Sequence, residues 1–430
     1  MIFNGKTVLI YGYGKSGKSA AKLLNKRGAI VKVYDDDYSK KDFLIFEQWA
    51  ESFKDVDCVV ISPAISNLKP EILELRLSGV PVISEIELGY ECCFGEVVAI
   101  TGTNGKTTTT MLTNSILKNA GINSCQVGNI GTPFCDVADK LKPGDVAVVE
   151  VSSFQLEGVK NFSPEISVLL NIEPDHLDRH KSFETYASLK ARIFLNQREG
   201  DFCVANISDP TIKTLVEKCN CTLIPFSIEE KCDGTYLEGG FVMYKGNRLF
   251  PTDGLYFKGR ERENLLAAVT VAKIKNVSDE KIYEAVKNFT KPPHRLELVA
   301  ESGSKRIYDD SKATNVSATV SACEGFEDDT VLILGGSDKG EEYIELFKHI
   351  PKTIRRIVVC GENSKRIYDA AVSSGYKNIS VCDSLEKCVD EALSGKEKNV
   401  LFSPASKSYD RYHSYVERGE HFKSIVEKLL

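Results

Sequence analysis

Residues 99–110 read Ala-Ile-Thr-Gly-Thr-Asn-Gly-Lys-Thr-Thr-Thr-Thr, an apolar run that passes through a glycine turn into a threonine-rich helical segment. Binding a phosphate chain takes backbone N–H groups that approach the oxygens closely, a cation to balance charge, and a hydroxyl for a divalent metal. Gly102 and Gly105 allow the close approach, Lys106 has the reach for β/γ-phosphates, and Thr107 or Thr108 offers the hydroxyl. Ile100 stands where the strict phosphate-loop pattern has its first glycine, so the string alone is an imperfect match.

A better textual match lies earlier. Gly12-Tyr-Gly14-Lys15-Ser16-Gly17-Lys18-Ser19 satisfies both G-x-G-x-x-G and G-x-x-x-x-G-K-S. Asp35-Asp36-Asp37 follows the next strand about 20 residues on, where dinucleotide-binding folds place a ribose-contacting carboxylate. That spacing favours a Rossmann-like nucleotide site over an ATPase site; the plainer alternative is a glycine-rich turn that binds nothing.

Downstream features support the loop at 102–107. Val146–Val149 is an apolar strand ending in Glu150, where a carboxylate of Walker-B type holds Mg²⁺. Asn171-Ile-Glu-Pro-Asp175-His176-Leu-Asp-Arg-His180 concentrates carboxylates with two of the six histidines, a donor set suited to Mg²⁺ or Mn²⁺, unless Asp-His-Leu-Asp merely caps a helix. Gly128-Asn129-Ile-Gly131 and Ser152-Ser-Phe-Gln155 add amides and hydroxyls near loop ends.

Short β-rich runs alternating with helical segments must position these residues. Thr7–Tyr11, Ser16–Lys26, Ala29–Tyr34, Cys58–Ile61, Pro70–Ser78 and Val80–Ile83 imply a first parallel sheet with crossover helices. A second block holds strands at Val97–Ile100, Asp145–Val151 and Ile166–Leu170, a helix over Thr107–Ala120 ended by Gly121, and a helix over Glu263–Lys273. Gly-broken runs from Thr222 to Phe257 predict a small antiparallel annex, and α/β alternation restarts after Pro292-Pro293 with strands at Arg306–Tyr308, Thr330–Leu334, Arg356–Cys360 and Val400–Phe402. The expectation is an α/β protein of three domains, 1–93, 94–296 and 297–430, Rossmann-like at both ends with a P-loop-type centre.

A net charge of −6 and a pI near 5.7 leave no broad basic surface for duplex nucleic acid. The apolar runs fall short of the ~20 residues that span a bilayer, and no signal peptide is evident, so a cytoplasmic, monomeric protein with reduced thiols is expected despite its 13 cysteines.

The combination resembles the Mur ligase family along the whole chain. Gly102–Thr107, Gly128–Gly131, Glu150–Gln155 and Glu173–Arg179 look like its central motifs; Asp310-Ser-Lys-Ala-Thr-Asn315, Leu334–Gly340 and Ser403–Ser408 look like its C-terminal ones. The Asp310–Asn315 string points to the branch that adds D-glutamate to UDP-N-acetylmuramoyl-L-alanine. By resemblance, the first domain binds the UDP substrate through Gly14, Lys15, Ser16 and Asp35, with Asn129 and Ser152 facing its muramoyl part. ATP falls to Gly102, Thr103, Asn104, Gly105, Lys106, Thr107, Thr108, Asn264, Arg295 and Asp310. Thr107, Glu150, His176 and a carbamylated Lys190 would hold two Mg²⁺ ions, and Lys106, Glu150, His176 and Lys190 would form the catalytic set. Lys312, Thr314, Lys339, Ser408 and Tyr415 would line the D-glutamate side.

The chain departs from the family pattern at Gly259-Arg-Glu-Arg-Glu-Asn264, which lacks a usual His-Asn pair, and at Ala64, where glycine is common. Competing expectations are a sibling or folylpolyglutamate-type ligase with another amino acid, an NAD(P)-dependent oxidoreductase using Gly12–Gly17, and a regulatory protein with a degenerate site. The oxidoreductase reading leaves Lys106 and Asp175-His176 without a purpose.

Overall fold

The computed structural model describes residues 3–255, 257–338 and 340–430; Lys339, an expected D-glutamate contact, lies outside them. Three sheets organise the chain. The first runs Gln48–Trp49, Ile30–Tyr34, Thr7–Tyr11, Cys58–Ile61, Val82–Ser84, all parallel. Its central strands, TVLIY and CVVI, are buried on both faces, as a sheet covered by crossover helices requires. Strand order reverses beside Thr7–Tyr11, and the Gly12 loop leaves that strand's C-terminal end, where open α/β sheets bind ligands.

The central sheet has nine strands in the order Asn247–Pro251, Phe241–Tyr244, Thr235–Glu238, Thr222–Ser227, Phe202–Asn206, Ile166–Leu169, Glu96–Thr101, Val146–Glu150, Ser124–Gly128. Pairing is parallel from Thr235–Glu238 to Ser124–Gly128 and antiparallel across the last three strands of the opposite edge. The expected antiparallel annex is therefore present as the continuous edge of this sheet, because Thr235–Glu238 pairs directly with Thr222–Ser227. The loop helix spans Lys106–Asn119, with Gly121 at φ +85° past its end, as its position in the sequence suggested.

Those two sheets belong to one compact unit, residues 1–256 with 262–289. Helix Glu85–Cys92 joins them: buried Glu87 accepts from the backbone amides of Lys160, Asn161 and Phe162 at 2.7–3.0 Å, and Glu85 accepts from that of Cys135 at 2.7 Å. These bonds offset part of the desolvation of the two carboxylates, and burial still pushes both up, Glu85 to about 7. A Cβ at Gly89 would sit 2.7 Å from the Phe134 ring, so this helix lies against the central region as closely as glycine permits.

The second unit, residues 257–261 and 290–430, holds the third sheet: Glu297–Ser302, Lys305–Asp309, Asn399–Phe402, Thr330–Leu334, Ile354–Val359, Ile379–Val381. Only the pair Glu297–Ser302 with Lys305–Asp309 is antiparallel. Among the described residues no helix is long and apolar enough to cross a membrane.

Candidate active site

Glu96–Thr101 delivers the central loop, and its turn is held by a neighbouring strand end. Asn171, just beyond Ile166–Leu169, accepts from Thr103 N through its carbonyl and from Asn104 N through Oδ1, both at 2.8 Å. Thr103 Oγ1 donates to Glu173 O at 3.2 Å, accepts from Glu173 N at 2.9 Å and lies 3.1 Å from Tyr186 OH. Gly105 adopts φ +84°, and a Cβ there would come 2.0 Å from Asn264 Oδ1, so only glycine fits. Asn264 itself is buried beneath the loop helix and accepts from Thr109 Oγ1 at 3.2 Å.

The charged groups converge on this turn. Lys106 Nζ donates to the carbonyls of Gly102 and Thr103 at 2.8 and 2.7 Å. Thr107 Oγ1 donates to Glu150 Oε2 at 2.7 Å, and Asn129 Nδ2 to Glu150 Oε1 at 2.9 Å. Glu150 is the last residue of Val146–Glu150 and is buried. Lys190, on helix Phe183–Ala191, is only 1% exposed, donates to Gly102 O at 2.6 Å and lies 4.7 Å from the Tyr186 ring centroid. Burial pushes its ammonium well below the ordinary lysine range and the Lys106 charge acts in the same sense, against Asp175 and Glu150.

Around Gly102–Thr107 the bonds thus gather Lys106 and Lys190 on Gly102 O, and Thr107 and Asn129 on the Glu150 carboxylate. These groups suit a magnesium–phosphate group: a hydroxyl and a carboxylate as hard oxygens and an ammonium on the loop. His176 takes φ +55°, places its ring 4.8 Å from that of Phe154, and has Nε2 3.7 Å from Asp175 Oδ2.

Other expected residues fall into distinct settings. Ser152 is a helix cap, with Oγ accepting from Gln155 N at 3.3 Å in a reciprocal capping box, so local structure already occupies its hydroxyl. In the first sheet's loop, Asp35 accepts from Tyr13 N at 2.6 Å, Gly14 caps helix Lys15–Lys26, Ser16 is half-buried, and Lys15 donates to Gly131 O. The two glycine motifs 12–17 and 128–131 therefore meet. Ala64 is absent from the left-handed region, so the missing glycine there brings no backbone strain.

In the second unit, Asp310 is buried and accepts from Ser403 Oγ at 2.7 Å and Leu296 N at 3.2 Å; burial pushes its carboxyl up to about 6, opposed mainly by Arg295. Glu261 and Lys291, 3.1 Å apart, are pushed by burial up to about 7 and down to about 7. Lys312 Nζ lies 5.5 Å from the Tyr415 ring centroid, Thr314 is half-buried, and Ser408 is buried with its carbonyl accepting from Tyr412 N. One trio of metal-ligating type occurs among the described residues, His294, Glu297 and Asp309, with ligating atoms within 4.8 Å of one another. Its atoms already bond within the protein: His294 Nδ1 to Asp309 Oδ2 at 2.6 Å, and Glu297 to His294 N and Lys423.

Several contributing residues carry no sequence signature of their own. Tyr186 is one helical turn before Lys190, and that i, i+4 spacing was its only signal. Arg418 donates to Ser311 Oγ and O and to Ser406 O at 3.1, 2.7 and 2.9 Å, tying Asp310–Asn315 to Ser403–Ser408 from a distant helix.

Fold and site together define a nucleotide-binding α/β protein with a phosphate loop, a threonine–carboxylate pair at its base and a buried lysine beside it. Residues 100–254 match the family described as Mur ligase middle domain, and residues 294–405 the Mur ligase, glutamate ligase domain. The UDP-N-acetylmuramoylalanine–D-glutamate ligase of Caldanaerobacter subterraneus subsp. tengcongensis is 38% identical across 99% of this chain and 98% of its own; that of Koribacter versatilis is 38% identical across 100% and 99%. The chain belongs to the Mur ligase family of ATP-dependent amide-forming ligases. Among solved structures, UDP-N-acetylmuramate-alanine ligase from Thermotoga maritima superposes with a TM-score of 0.61 at 20% identity, covering 98% of this chain and 99% of that one. A pseudomurein peptide ligase type C from Methanothermus fervidus gives 0.63 at 22% identity, covering 99% and 100%. These likenesses support the three-domain α/β fold.

Proposed function

We propose that this ligase joins D-glutamate to UDP-N-acetylmuramoyl-L-alanine, consuming ATP and releasing ADP and phosphate, as a step in peptidoglycan precursor synthesis. The observation that carries this reading is full-length similarity to relatives of that name, 36–38% identical from end to end. The intact loop cluster supports it as a working rather than degenerate site.

A carboxylate is a poor acyl donor, so the substrate's alanine carboxylate attacks the γ-phosphate of ATP to form an acyl phosphate. D-Glutamate's amine then adds to that acyl carbon, and the tetrahedral intermediate expels phosphate. Phosphoryl transfer is governed by positioning and charge. Lys106 and the Gly102–Thr108 amides neutralise and orient the phosphates, with Asn264 shaping the nucleotide site. Thr107, Glu150, His176 and Lys190 as its carbamate would hold Mg²⁺, which supplies charge neutralisation on the phosphate oxygens when bound. Lys190's buried, depressed amine supports the carbamate, since neutral amine is the form that adds CO₂. Gly14, Lys15, Ser16 and Asp35 hold the uridine nucleotide, Asn129 the muramoyl part, and Lys312, Thr314, Lys339, Ser408 and Tyr415 the D-glutamate carboxylates and their surroundings. The small, nucleotide-linked substrates fit a cytoplasmic monomer built as domains 1–93, 94–296 and 297–430.

Phosphate release measured over a matrix of amino acids and UDP-sugars tests this. Turnover should require UDP-N-acetylmuramoyl-L-alanine and D-glutamate together. Robust turnover with L-glutamate or a diamino acid, and none with D-glutamate, would assign the chain to a sibling activity.

A further inference from the structure

Glu157, just past helix Ser153–Leu156, is a meeting point for the first and central sheets. Arg179 pairs with it twice, Nε to Oε1 at 3.2 Å and NH2 to Oε2 at 3.0 Å. Asn67 Nδ2 donates to Oε2 at 2.6 Å, and His180 Nδ1 lies 3.5 Å from Oε1. Arg179 also donates to main chain of the first domain, NH1 to Pro63 O at 2.6 Å and NH2 to Ile65 O at 3.1 Å. Its guanidinium lies 4.1 Å from the centroid of the Phe154 ring, which in turn meets the rings of His176 and His180 at 4.8 and 5.2 Å.

One end of this network reaches the first glycine loop and the other the turn of Asp175 and His176. Pro63–Ile65 follows strand Cys58–Ile61 and backs the first glycine loop, since a Cβ on Gly12 would come 2.6 Å from Ser62 Cβ. Arg179 itself belongs to the turn that carries Asp175 and His176. A planar guanidinium that satisfies a carboxylate fork and two carbonyls at once has little freedom left.

We propose that Arg179 is a positioning residue for ligation: braced by Glu157 and Asn67, it locks the loop behind the UDP-substrate site to the Asp175–His180 turn. A substrate anchored at one end then presents its reacting carboxylate in register at the other. This rests on the reading that the first domain binds the UDP substrate.

Steady-state kinetics of the full chain with Arg179→Ala, Arg179→Lys and Glu157→Gln, together with amide exchange on the ligand-free protein, test it. Arg179→Ala should lower kcat/KM for UDP-N-acetylmuramoyl-L-alanine by about 10- to 100-fold, raising the KM for that substrate while the KM for ATP stays unchanged. Arg179→Lys should recover part of the loss, because it keeps the Glu157 pair without the carbonyl fork. Amide exchange should quicken in both 62–66 and 175–181. A lower melting temperature with an unaltered KM for the UDP substrate, or equal rises in both KM values, would reduce the pair to structural support and overturn the positioning role. If the native enzyme fails to use this substrate, the substrate reading falls by itself; unchanged exchange in either segment still overturns the brace.

Discussion

Thr107 Oγ1 donates to Glu150 Oε2 at 2.7 Å, joining the first turn of the loop helix to the end of the neighbouring strand. The pair is buried, and Asn129 occupies the other carboxylate oxygen at 2.9 Å, so both side chains are oriented before any ligand arrives.

Because the two act as one unit, their removal should not be additive. Thr107→Val should lower kcat by about 100-fold and raise the Mg²⁺ concentration needed for half-maximal rate, and Glu150→Gln should cost at least as much. The double variant is expected to be no slower than Glu150→Gln alone. Kinetics across a magnesium titration check this; losses that multiply would make the residues independent.

Lys190 offers a spectroscopic test. With its amine pushed below the ordinary lysine range, the neutral, CO₂-reactive form persists at pH values where an exposed lysine is protonated. Enzyme equilibrated with ¹³C-bicarbonate at pH 8 should show a carbamate resonance that disappears in Lys190→Arg and fades on acidification. Activity should fall with it, by about 100-fold or more in Lys190→Arg.

Asp310 predicts a pH dependence. Its folded carboxyl is raised from 3.8 to about 6 by burial, so its favourable contribution is complete below 3.8 and is lost as pH rises through 6. The shift corresponds to roughly 3 kcal/mol. Asp310→Asn should therefore flatten the decline in stability of the second unit between pH 4 and 7 by up to that amount. Amide exchange of strand Thr330–Leu334 in the full chain reads this directly; an unchanged slope would mean that the carboxyl stays solvated.

Gly105→Ala should be disproportionately damaging for one methyl group. The residue must hold φ +84°, and the new Cβ would lie 2.0 Å from Asn264 Oδ1. The left-handed conformation alone costs about 1–3 kcal/mol, and relief of the clash has to move Asn264 or the loop. The KM for ATP should rise steeply while binding of the UDP substrate, measured by calorimetry, is retained. Equal loss of both would contradict the division of labour between the glycine loops.

The sequence by itself determined the parts of this protein that rest on local pattern. Apolar β-rich runs ending in glycine turns located the central strands, and Gly102–Lys106 with Glu150 at a strand end pointed to a phosphate and Mg²⁺ site, whereas Asp310–Asn315 spoke only through the family resemblance. Periodicity also placed the loop helix within a residue of its observed Lys106–Asn119. Tertiary structure decided what depends on separate segments arriving at one place. The Ser152-x-x-Gln155 spacing is that of a capping box, so the cap that takes up the Ser152 hydroxyl belongs to local pattern, but nothing local to Glu157 marks it as the partner of Arg179 and Asn67. The depressed amine of Lys190 is of the same kind. A lysine's proton affinity is set by the dielectric and charges around it, and only the folded chain brings Gly102, Tyr186 and Lys106 to its side and takes water away.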